Sequence, residues 1–552
     1  MTGPTTRENR GWPWLGDYER HPRLYAARPV IAEGAMISTP HHLATAAGIE
    51  VLRAGGNAVD AAVAASAALM VTVPMQCSPG GDAIWIIRKS DGDMSVLDAS
   101  GRSPLAAEAD RLRGRGLASI PARSADAITV PGAVDGWAQA LEHHGTRSLE
   151  ELLEPAARLA ERGFFVSRHL HASFRAAWPA LEGWNATGLW SPNGAPPGLY
   201  DRLRQPQLAE ALRQIGRTNG RALYEGALAT DVVAAARRAG SPLSGEDLAR
   251  HRAEWLRPLK ARWHDLTLYT SPPSTQGVAL LEAAALLEFL ARSGDPSGDQ
   301  ATHLMIEALA AALEDRDRFV GDRSRMSIGP ESLYGDVHID LISGSIDPER
   351  AGPRTGDSGP IKGRGDTAHL AVVDSNRFAV SLIQSVFFDF GTGIPVPSGG
   401  FTLQNRGAAF RLQPGHVGEL GPGLRPPHTL TPTIACQNGQ LRYVLGCMGG
   451  DGQVQTQLQL LHGMTRLELD PQQAVSRPRW YLDRSMPSVS RVLVEEGVDG
   501  RLIDGIRRRG HDLSVLGPAE EIMGHAQIIA VESNGALVGA SDPRSDGQVA
   551  GW

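Results

Sequence analysis

The spacing of apolar residues changes once along the sequence, at a segment of about residues 343–366 that is rich in glycine, proline and charged residues. Before it, apolar residues recur every three to four positions, which indicates amphipathic helices. These helices are predicted over roughly 148–162, 224–239, 278–292 and 301–319. After it, short apolar runs flank turn signals, which indicates antiparallel strands. Since a helical half folding alone would have no sheet to cover, the pattern predicts one layered α+β domain built from both halves.

The elements on either side of this segment have recognisable signals. Ala58 to Met70 is mostly alanine, so this predicted helix must pack closely against a flat surface. In the second half, Asn438-Gly439 between two apolar runs is a strong hairpin signal. The predicted strands are Ala368 to Val373, Phe378 to Val386, Thr431 to Cys436, Leu441 to Leu445, Gln527 to Val531 and Ala536 to Val538. The segment 343–366 itself is predicted to be a mobile surface segment.

Charge and cysteine content exclude several classes of protein. The formal net charge is −7 and no run of Lys or Arg occurs, so nucleic acid is not an expected partner. The three cysteines, Cys77, Cys436 and Cys447, are odd in number and lack CxxC spacing, which argues against a disulfide framework and a zinc site. The first 20 residues have no apolar core, and the longest apolar stretch is too short to span a bilayer. We therefore expect a cytoplasmic protein without a membrane partner.

Three short motifs are interpreted as structural. Gly356-Asp357-Ser358-Gly359 is similar to the loop around a trypsin-like serine, but it lies in the Gly/Pro-rich segment without strand context. His303 and Glu307 stand four apart on a predicted helix, yet no second histidine joins them there, so a surface pair is expected rather than metal ligands. His41-His42 at a helix start predicts capping or packing.

Two further features point to acyl-transfer chemistry, each with a plain structural alternative. Gly449 and Gly450 follow a predicted strand, and adjacent glycines let two backbone N–H groups point at one oxyanion; the alternative is a tight turn. Thr367 stands where the Gly/Pro-rich segment meets the first strand, and the alternative there is an ordinary β-former. If the Asp366–Thr367 bond were cut, the free α-amine of Thr367 would be a general base beside its own hydroxyl.

Longer motifs occur in a fixed order along most of the chain. They are Leu52 to Ala62, Ser78 to Asp82, Val130 to Trp137, Pro272 to Gly277, Gly391 to Ile394 and Ser541 to Gly547. With the segment Asp366 to Asp374, they resemble the γ-glutamyltranspeptidase family of N-terminal-nucleophile hydrolases, from about Ile37 to Gly547.

The resemblance implies a four-layer αββα fold and a precursor that cuts itself into a large chain, 1–366, and a small chain, 367–552. These would form an αβ heterodimer, single or doubled. By match to the family motifs, Thr367 is the nucleophile, Ser385 holds its amine, and Gly449 and Gly450 form the oxyanion hole. Neither a metal nor an organic cofactor is implied.

The departures from the family pattern concern the substrate pocket. Where glutamyl-specific members have a carboxylate-binding Arg, this chain has Ser100, with Arg102 two residues on. The other substituted positions are Phe387, Arg406 and Ala409 for the ammonium ligands, His428 and Thr429 for a serine pair, and Ala368 after the nucleophile. The pocket has thus lost an anion and gained a cation, which disfavours a free glutamyl amine. It favours a substrate carboxylate held by Arg406, Arg102, His428 and Thr429.

These departures predict an amidohydrolase that acts on a small carboxylate-bearing acyl group through an acyl-enzyme. The segments 381–385, 400–407 and 448–453 resemble the branch that contains oxamate amidohydrolase and acylase-like members. Three alternatives stay open: a γ-glutamyl hydrolase or transferase with an altered pocket, a C–C bond hydrolase of a natural-product pathway, and an inactive, uncleaved scaffold.

Overall fold

The computed structural model describes residues 28–191, 193–294, 296–352, 366–486 and 489–552. Its strands are β1 Val30–Ala32, β2 Met36–Thr39, β3 Asp82–Arg88, β4 Met94–Ala99, β5 Phe164–Phe165, β6 Arg202–Leu203, β7 Glu254–Leu256, β8 Leu259–Trp263, β9 Leu266–Thr270, β10 Asp366–Val373, β11 Ala379–Phe387, β12 Pro395–Val396, β13 Phe401–Thr402, β14 Thr433–Gln437, β15 Gln440–Cys447, β16 Trp480–Met486, β17 Val489–Glu495, β18 Leu513–Leu516, β19 Ala526–Val531, β20 Leu537–Ser541 and β21 Gln548–Gly551.

The α-helices lie mainly in the first two thirds of the chain. They are α1 His42–Arg53, α2 Ala58–Thr72, α3 Ala109–Gly114, α4 Ala133–His144, α5 Leu149–Arg162, α6 Arg168–Gly183, α7 Pro206–Arg217, α8 Ala227–Arg238, α9 Gly245–Arg250, α10 Gly277–Leu290, α11 Gly298–Phe319, α12 Asp336–Ser343, α13 Gly452–Arg466, α14 Pro471–Ser476 and α15 Gly500–Arg508. Among the described helices, none has the length and apolar character needed to cross a membrane.

Two seven-stranded sheets form the centre of the fold. One has the order β21-β2-β10-β11-β3-β4-β7 and the other β1-β20-β19-β15-β14-β9-β8. Apolar side chains from both sheets interdigitate between them, including Ile86 and Ile383 from one and Ile434 and Val444 from the other. Helices α1, α2, α4 and α5 cover the outer face of the first sheet, and α10, α11 and α13 cover that of the second. This arrangement is the predicted four-layer αββα sandwich.

The alanine-rich helix α2 shows why the layers pack closely. All 15 of its residues are buried, and a capping box of Asn57 and Asp60 fixes its start. Seven of the 15 residues are alanine, which lets the helix axis approach the β10–β11 face, so the sequence prediction of close packing is confirmed. The hairpin predicted at Asn438-Gly439 is also confirmed, since both residues have positive φ (50° and 80°) and join β14 to β15.

The prediction that helices dominate the first half is incomplete. Strands β3 and β4 join the sheet that holds β10, and β8 and β9 extend the other sheet. Every residue of β3 is buried, so its sequence has a continuous apolar run instead of alternating apolar and polar residues. Such a run has no periodicity that separates a two-sided buried strand from a buried helix segment.

Other sequence predictions have mixed outcomes. His41 caps α1, its Nδ1 accepting from the backbone N–H of Leu43 at 3.2 Å. All three cysteines are free and buried. The Gly356–Gly359 motif and most of the segment predicted to be mobile lie outside the described residues.

The expectation of a surface pair at His303 and Glu307 is wrong. Both side chains are buried, and His303 Nδ1 lies 2.8 Å from Nε2 of His511. The other ring nitrogen of His303 lies 2.9 Å from the carbonyl oxygen of Asp347. Because His511 is about 200 residues away in the chain, sequence spacing gave no sign that it joins the pair.

Candidate active site

Thr367 lies at an irregularity in the pairing of β10 with β11. Asp366 pairs with Phe387 and Ala368 with Gln384, so the register shifts across Thr367. Bulges of this kind re-aim a side chain and frequently accompany active sites. The Thr367 side chain is buried, and its Oγ1 lies 3.3 Å from Oγ of Ser385.

Ser385 connects Thr367 to the peptide bond before it. Its hydroxyl donates to the carbonyl oxygen of Asp366 at 2.6 Å, and its oxygen accepts from the backbone N–H of Phe387 at 2.7 Å. The Ser385 hydroxyl therefore polarises the carbonyl of the Asp366–Thr367 bond in the intact chain.

The Ser78–Asp82 motif packs against the same residues. A Cβ added to Gly81 would lie 2.5 Å from the carbonyl oxygen of Ser385, and one added to Gly80 would lie 2.6 Å from that of Thr402. Two glycines are therefore required where this turn crosses β11. The turn delivers Asp82 to the start of β3, next to Ser385 in the β3–β11 register.

Gly449 and Gly450 form a loop between β15 and α13. Their φ angles, 130° and 56°, are both positive, and at Gly449 only glycine adopts such a value without strain. Within the described part of the chain, neither backbone N–H donates to a protein acceptor. Two adjacent amides without acceptors are what an oxyanion site requires.

Cross-sheet contacts bring this loop and Thr367 to one end of the sandwich. His369, two residues after Thr367, packs on Gly446, three residues before Gly449: a Cβ on Gly446 would meet the His369 ring at 2.3 Å. Further along, Oγ of Ser381 donates to the carbonyl of Leu445 at 3.1 Å. The end of β15 therefore lies beside the start of β10, so Thr367 and the glycine loop lie at the same end of the sandwich.

A buried polar network holds the glycine loop from behind, and sequence reasoning missed it. The Gln276 amide donates to the carbonyls of Gly450 and Thr429, both at 2.9 Å. Arg316, from α11, donates to Gln276 Oε1 at 2.6 Å and to Asp451 at 2.7 Å. Gln276 belongs to the Pro272–Gly277 motif, which was a usable signal; Arg316 had none, because only the fold brings it to the loop.

Arg406 contacts residues on both the Thr367 side of the site and the side of the glycine loop. Its guanidinium is fully buried, with Cζ 4.0 Å from the ring centroid of Phe387, the residue paired with Asp366. Nη1 donates to Thr429 Oγ1 at 3.3 Å, while Nε and Nη2 have no hydrogen-bond partner in the described residues. Burial lowers the pKa of Arg406 to about 9, opposed by the charge of Asp82.

His428 and Asp82 form a second buried pair beside Arg406. His428 Nε2 lies 3.2 Å from Asp82 Oδ2, and the other carboxylate oxygen accepts from Gln404 and from the Gly101 N–H, both at 2.8 Å. Burial raises the pKa of Asp82 to about 6, and burial together with Arg406 holds the pKa of His428 well below its usual range. His428 is therefore neutral at pH 7, and its Nε2 proton is directed to Asp82 rather than into open space.

Arg102 lies apart from this group. Its two amino groups contact Glu254 at 2.7 Å and Asp322 at 3.3 Å, and its side chain is 38% exposed. A second arginine, Arg425, is buried and contacts Oγ of Ser100 at 3.1 Å; Glu254 neutralises it as well, at 2.7 Å. No described contact joins Arg102 to Thr367 or Arg406, so its part in substrate binding stays a prediction. Nothing in the sequence pointed to Arg425.

The sequence profile of the family described as gamma-glutamyltranspeptidase matches residues 44–552. The chain belongs to the γ-glutamyltranspeptidase family. An oxamate amidohydrolase proenzyme of Klebsiella pneumoniae is 36% identical over 534 residues, which cover 95% of this chain and 99% of that protein. A glutathione hydrolase-like YwrD proenzyme of Bacillus subtilis is 35% identical with the same coverage. Among solved structures, cephalosporin acylase from Bacillus halodurans matches with a TM-score of 0.88 and 31% identity, covering 100% of this chain and 99% of that one.

Membership of the γ-glutamyltranspeptidase family confirms the resemblance found in the sequence. It identifies the chain as an N-terminal-nucleophile amidohydrolase or acyltransferase, and the structural match confirms the fold of that class.

Proposed function

We propose that this protein matures by cutting itself between Asp366 and Thr367 and then hydrolyses amides whose acyl group carries a carboxylate. The observation that carries the substrate class is Arg406, a fully buried guanidinium with two nitrogens that have no acceptor in the described part of the chain. Each unsatisfied buried donor costs about 1–3 kcal/mol. An incoming carboxylate would satisfy both nitrogens by a bidentate contact.

Maturation follows from the contacts of Thr367. Its hydroxyl oxygen attacks the carbonyl carbon of Asp366, while the Ser385 hydroxyl stabilises the negative charge that develops on the carbonyl oxygen. The C–N bond breaks, the amide nitrogen takes up a proton, and Asp366 is left esterified to Thr367. Water then hydrolyses the ester, which leaves chain 1–366 with a new carboxyl group and chain 367–552 with a free α-amine. The relatives named as proenzymes support this scheme.

In turnover the same hydroxyl acts on the substrate. The α-amine of Thr367 accepts its proton as Oγ1 attacks the acyl carbon, and the N–H groups of Gly449 and Gly450 stabilise the oxyanion. Ser385 orients the amine. The proton passes to the leaving amine, and water releases the acyl group from the ester. The two cleaved chains remain together as a heterodimer, since β10 of the small chain lies between β2 of the large chain and β11.

The alternative of a γ-glutamyl substrate fits the pocket poorly. Its free ammonium would approach Arg406, a like charge, at the position where the family has ammonium ligands. The apolar Phe387 ring under Arg406 offers no acceptor in its place. An oxamate-like or acylase-like substrate, which presents a carboxylate there, is in keeping with the names of the relatives.

The first prediction compares oxamate with oxamide, which differ only in whether the group next to the scissile amide is a carboxylate or a neutral amide. Arg406→Met keeps apolar contact with Phe387 but removes the charge. We expect kcat/KM for oxamate to fall about 10- to 100-fold, because charge-assisted hydrogen bonds contribute about 1.5–3 kcal/mol. The value for oxamide should change little.

Arg102→Met is the matched variant for this comparison. Since Glu254 and Asp322 already hold Arg102, we expect its oxamate-to-oxamide ratio to stay at the wild-type value. A ratio that changes for Arg102→Met and not for Arg406→Met would move the carboxylate site to Arg102. If neither variant changes the ratio, or if a γ-glutamyl anilide with its free amine is the better substrate, the proposed substrate class is wrong.

A second prediction concerns pH. Arg406 is protonated below its pKa of about 9 and loses its charge as the pH rises through that value. The ratio of kcat/KM for oxamate to that for oxamide should therefore be constant from pH 6.5 to 8 and fall above pH 9. Taking the ratio cancels the titration of the Thr367 amine, which affects both substrates equally. A ratio independent of pH up to 10.5 would contradict the lowered pKa of Arg406.

A further inference from the structure

A cluster of two carboxylates and a histidine lies among α10, α11 and α12, outside the catalytic groups. Nε2 of His338 lies 2.7 Å from Asp315 Oδ2 and 3.8 Å from Glu282 Oε1. One ligand atom from each of the three residues falls within 4.8 Å of the other two. Asp315 and His338 are partly exposed, so the cluster can be reached from solvent.

Glu282 is the unusual member. It is 0% exposed, and neither of its carboxylate oxygens receives a hydrogen bond in the described residues. The polar groups that face it are the carboxylate of Asp315 and, at 3.8 Å, the imidazole of His338. Burial together with the like charge of Asp315 raises the pKa of Glu282 well above its usual range. A carboxylate in such a place is costly unless a cation or a proton compensates it.

We propose that Glu282, Asp315 and His338 bind one divalent transition-metal ion, with Zn²⁺ as the best-suited probe. Two carboxylate oxygens and one imidazole nitrogen suit zinc, and a water molecule completes the tetrahedron on the open side. Donor atoms about 2.0–2.1 Å from a tetrahedral ion lie about 3.3 Å apart. The observed separations of 2.7 Å and 3.8 Å bracket that value, so small side-chain movements are enough.

The ion would join three helices, of which α11 and α12 already meet through the contact of Asp315 with His338. Glu282 is in α10, which begins immediately after Gln276, and Asp315 precedes Arg316 in α11. Gln276 and Arg316 are the residues that hold the glycine loop through Gly450 and Asp451. An ion at this cluster therefore stabilises the helices that hold the glycine loop and takes no part in the chemistry at Thr367.

Zinc binding to the tag-free, chelator-stripped full-length protein tests this proposal without any activity measurement. Titration against a chromogenic chelator should give about one tight site per chain, and Zn²⁺ should raise the melting temperature, since the metal binds the folded state. Glu282→Gln and His338→Gln should each weaken zinc binding about 100-fold or more and abolish the shift.

Two control variants make the assignment specific. Asp340→Asn changes an exposed carboxylate on α12, two residues from His338, and should leave zinc binding unchanged. His303→Gln alters the separate cluster with His511 and should also leave it unchanged. Absence of zinc binding to the folded wild type would overturn the proposal and leave a proton shared by Glu282 and Asp315. Zinc binding that is lost in His303→Gln and kept in Glu282→Gln would also overturn the proposal. If Glu282→Gln fails to fold, the zinc affinity of His338→Gln, a change at a partly exposed position, tests the proposal instead.

Discussion

Replacing Thr367 by alanine is expected to leave one uncleaved chain whose amidase activity is at least about 10⁴-fold below that of the wild type. The variant lacks the hydroxyl that attacks Asp366, so the α-amine is never released, and it lacks the nucleophile for substrate as well. One substitution thus removes both reactions. Intact mass spectrometry and oxamate turnover measure them separately.

Loss of fold is a poor explanation for such a result. Among the described residues, the Thr367 side chain makes one long hydrogen bond, at 3.3 Å to Ser385, so its truncation should cost little stability. Thr433→Ala is a matched control, since Thr433 is a buried threonine at the first position of β14 in the opposite sheet. We expect Thr433→Ala to be cleaved and active, and Thr367→Ser to be cleaved more slowly. Normal turnover by Thr367→Ala would place the nucleophile elsewhere.

Gly449→Ala should give the second large effect, a fall in kcat of about 10²- to 10³-fold, the usual cost of losing one oxyanion donor. The expected cause is conformational rather than steric. A Cβ on Gly449 would have no neighbour nearer than 3.6 Å, but its φ of 130° is strained for any residue with a Cβ. Relaxation of that strain turns the Gly449–Gly450 amides away from the substrate. Because self-cleavage relies on the Ser385 hydroxyl at Asp366, mass spectrometry should still find two chains.

Gly439→Ala is the control for backbone strain alone. Gly439 precedes the same strand, β15, has a positive φ of 80°, and has open space around its missing Cβ. We expect a stability cost of about 1 kcal/mol in Gly439→Ala with unchanged kcat. Equal rate losses in the two variants would show that the glycine loop has no special part in catalysis.

The sequence was sufficient for the class of fold, while the assignment of Thr367 as nucleophile stays a prediction. Hairpins with Asn-Gly turns and an alanine-rich helix are local signals, and the junction at Thr367 is visible because composition changes there. Strand β3 was missed since it is buried on both faces and has no alternation. Residues of such strands lack any local pattern that reports their place in a sheet.

The polar environment of the site was harder to predict from the sequence, because it is built from residues far apart in the chain. The proposal that Arg406 binds a carboxylate began from the departures from the family pattern. Its contact with Phe387, and the two nitrogens that have no hydrogen-bond partner among the described residues, were visible only in the fold. The ion pairs that occupy Arg102 were invisible for the same reason. Arg316 reaches Gln276 and the glycine loop only because α10 and α11 pack side by side.

N-terminal sequencing of the purified wild-type protein tests the central claim most directly. If Thr367 is the nucleophile released by self-cleavage, a denaturing gel shows two chains, and the smaller one begins Thr-Ala-His, as residues 367–369 read. A single chain of 552 residues that turns over oxamate would contradict the account, as would a small chain that begins at any other residue.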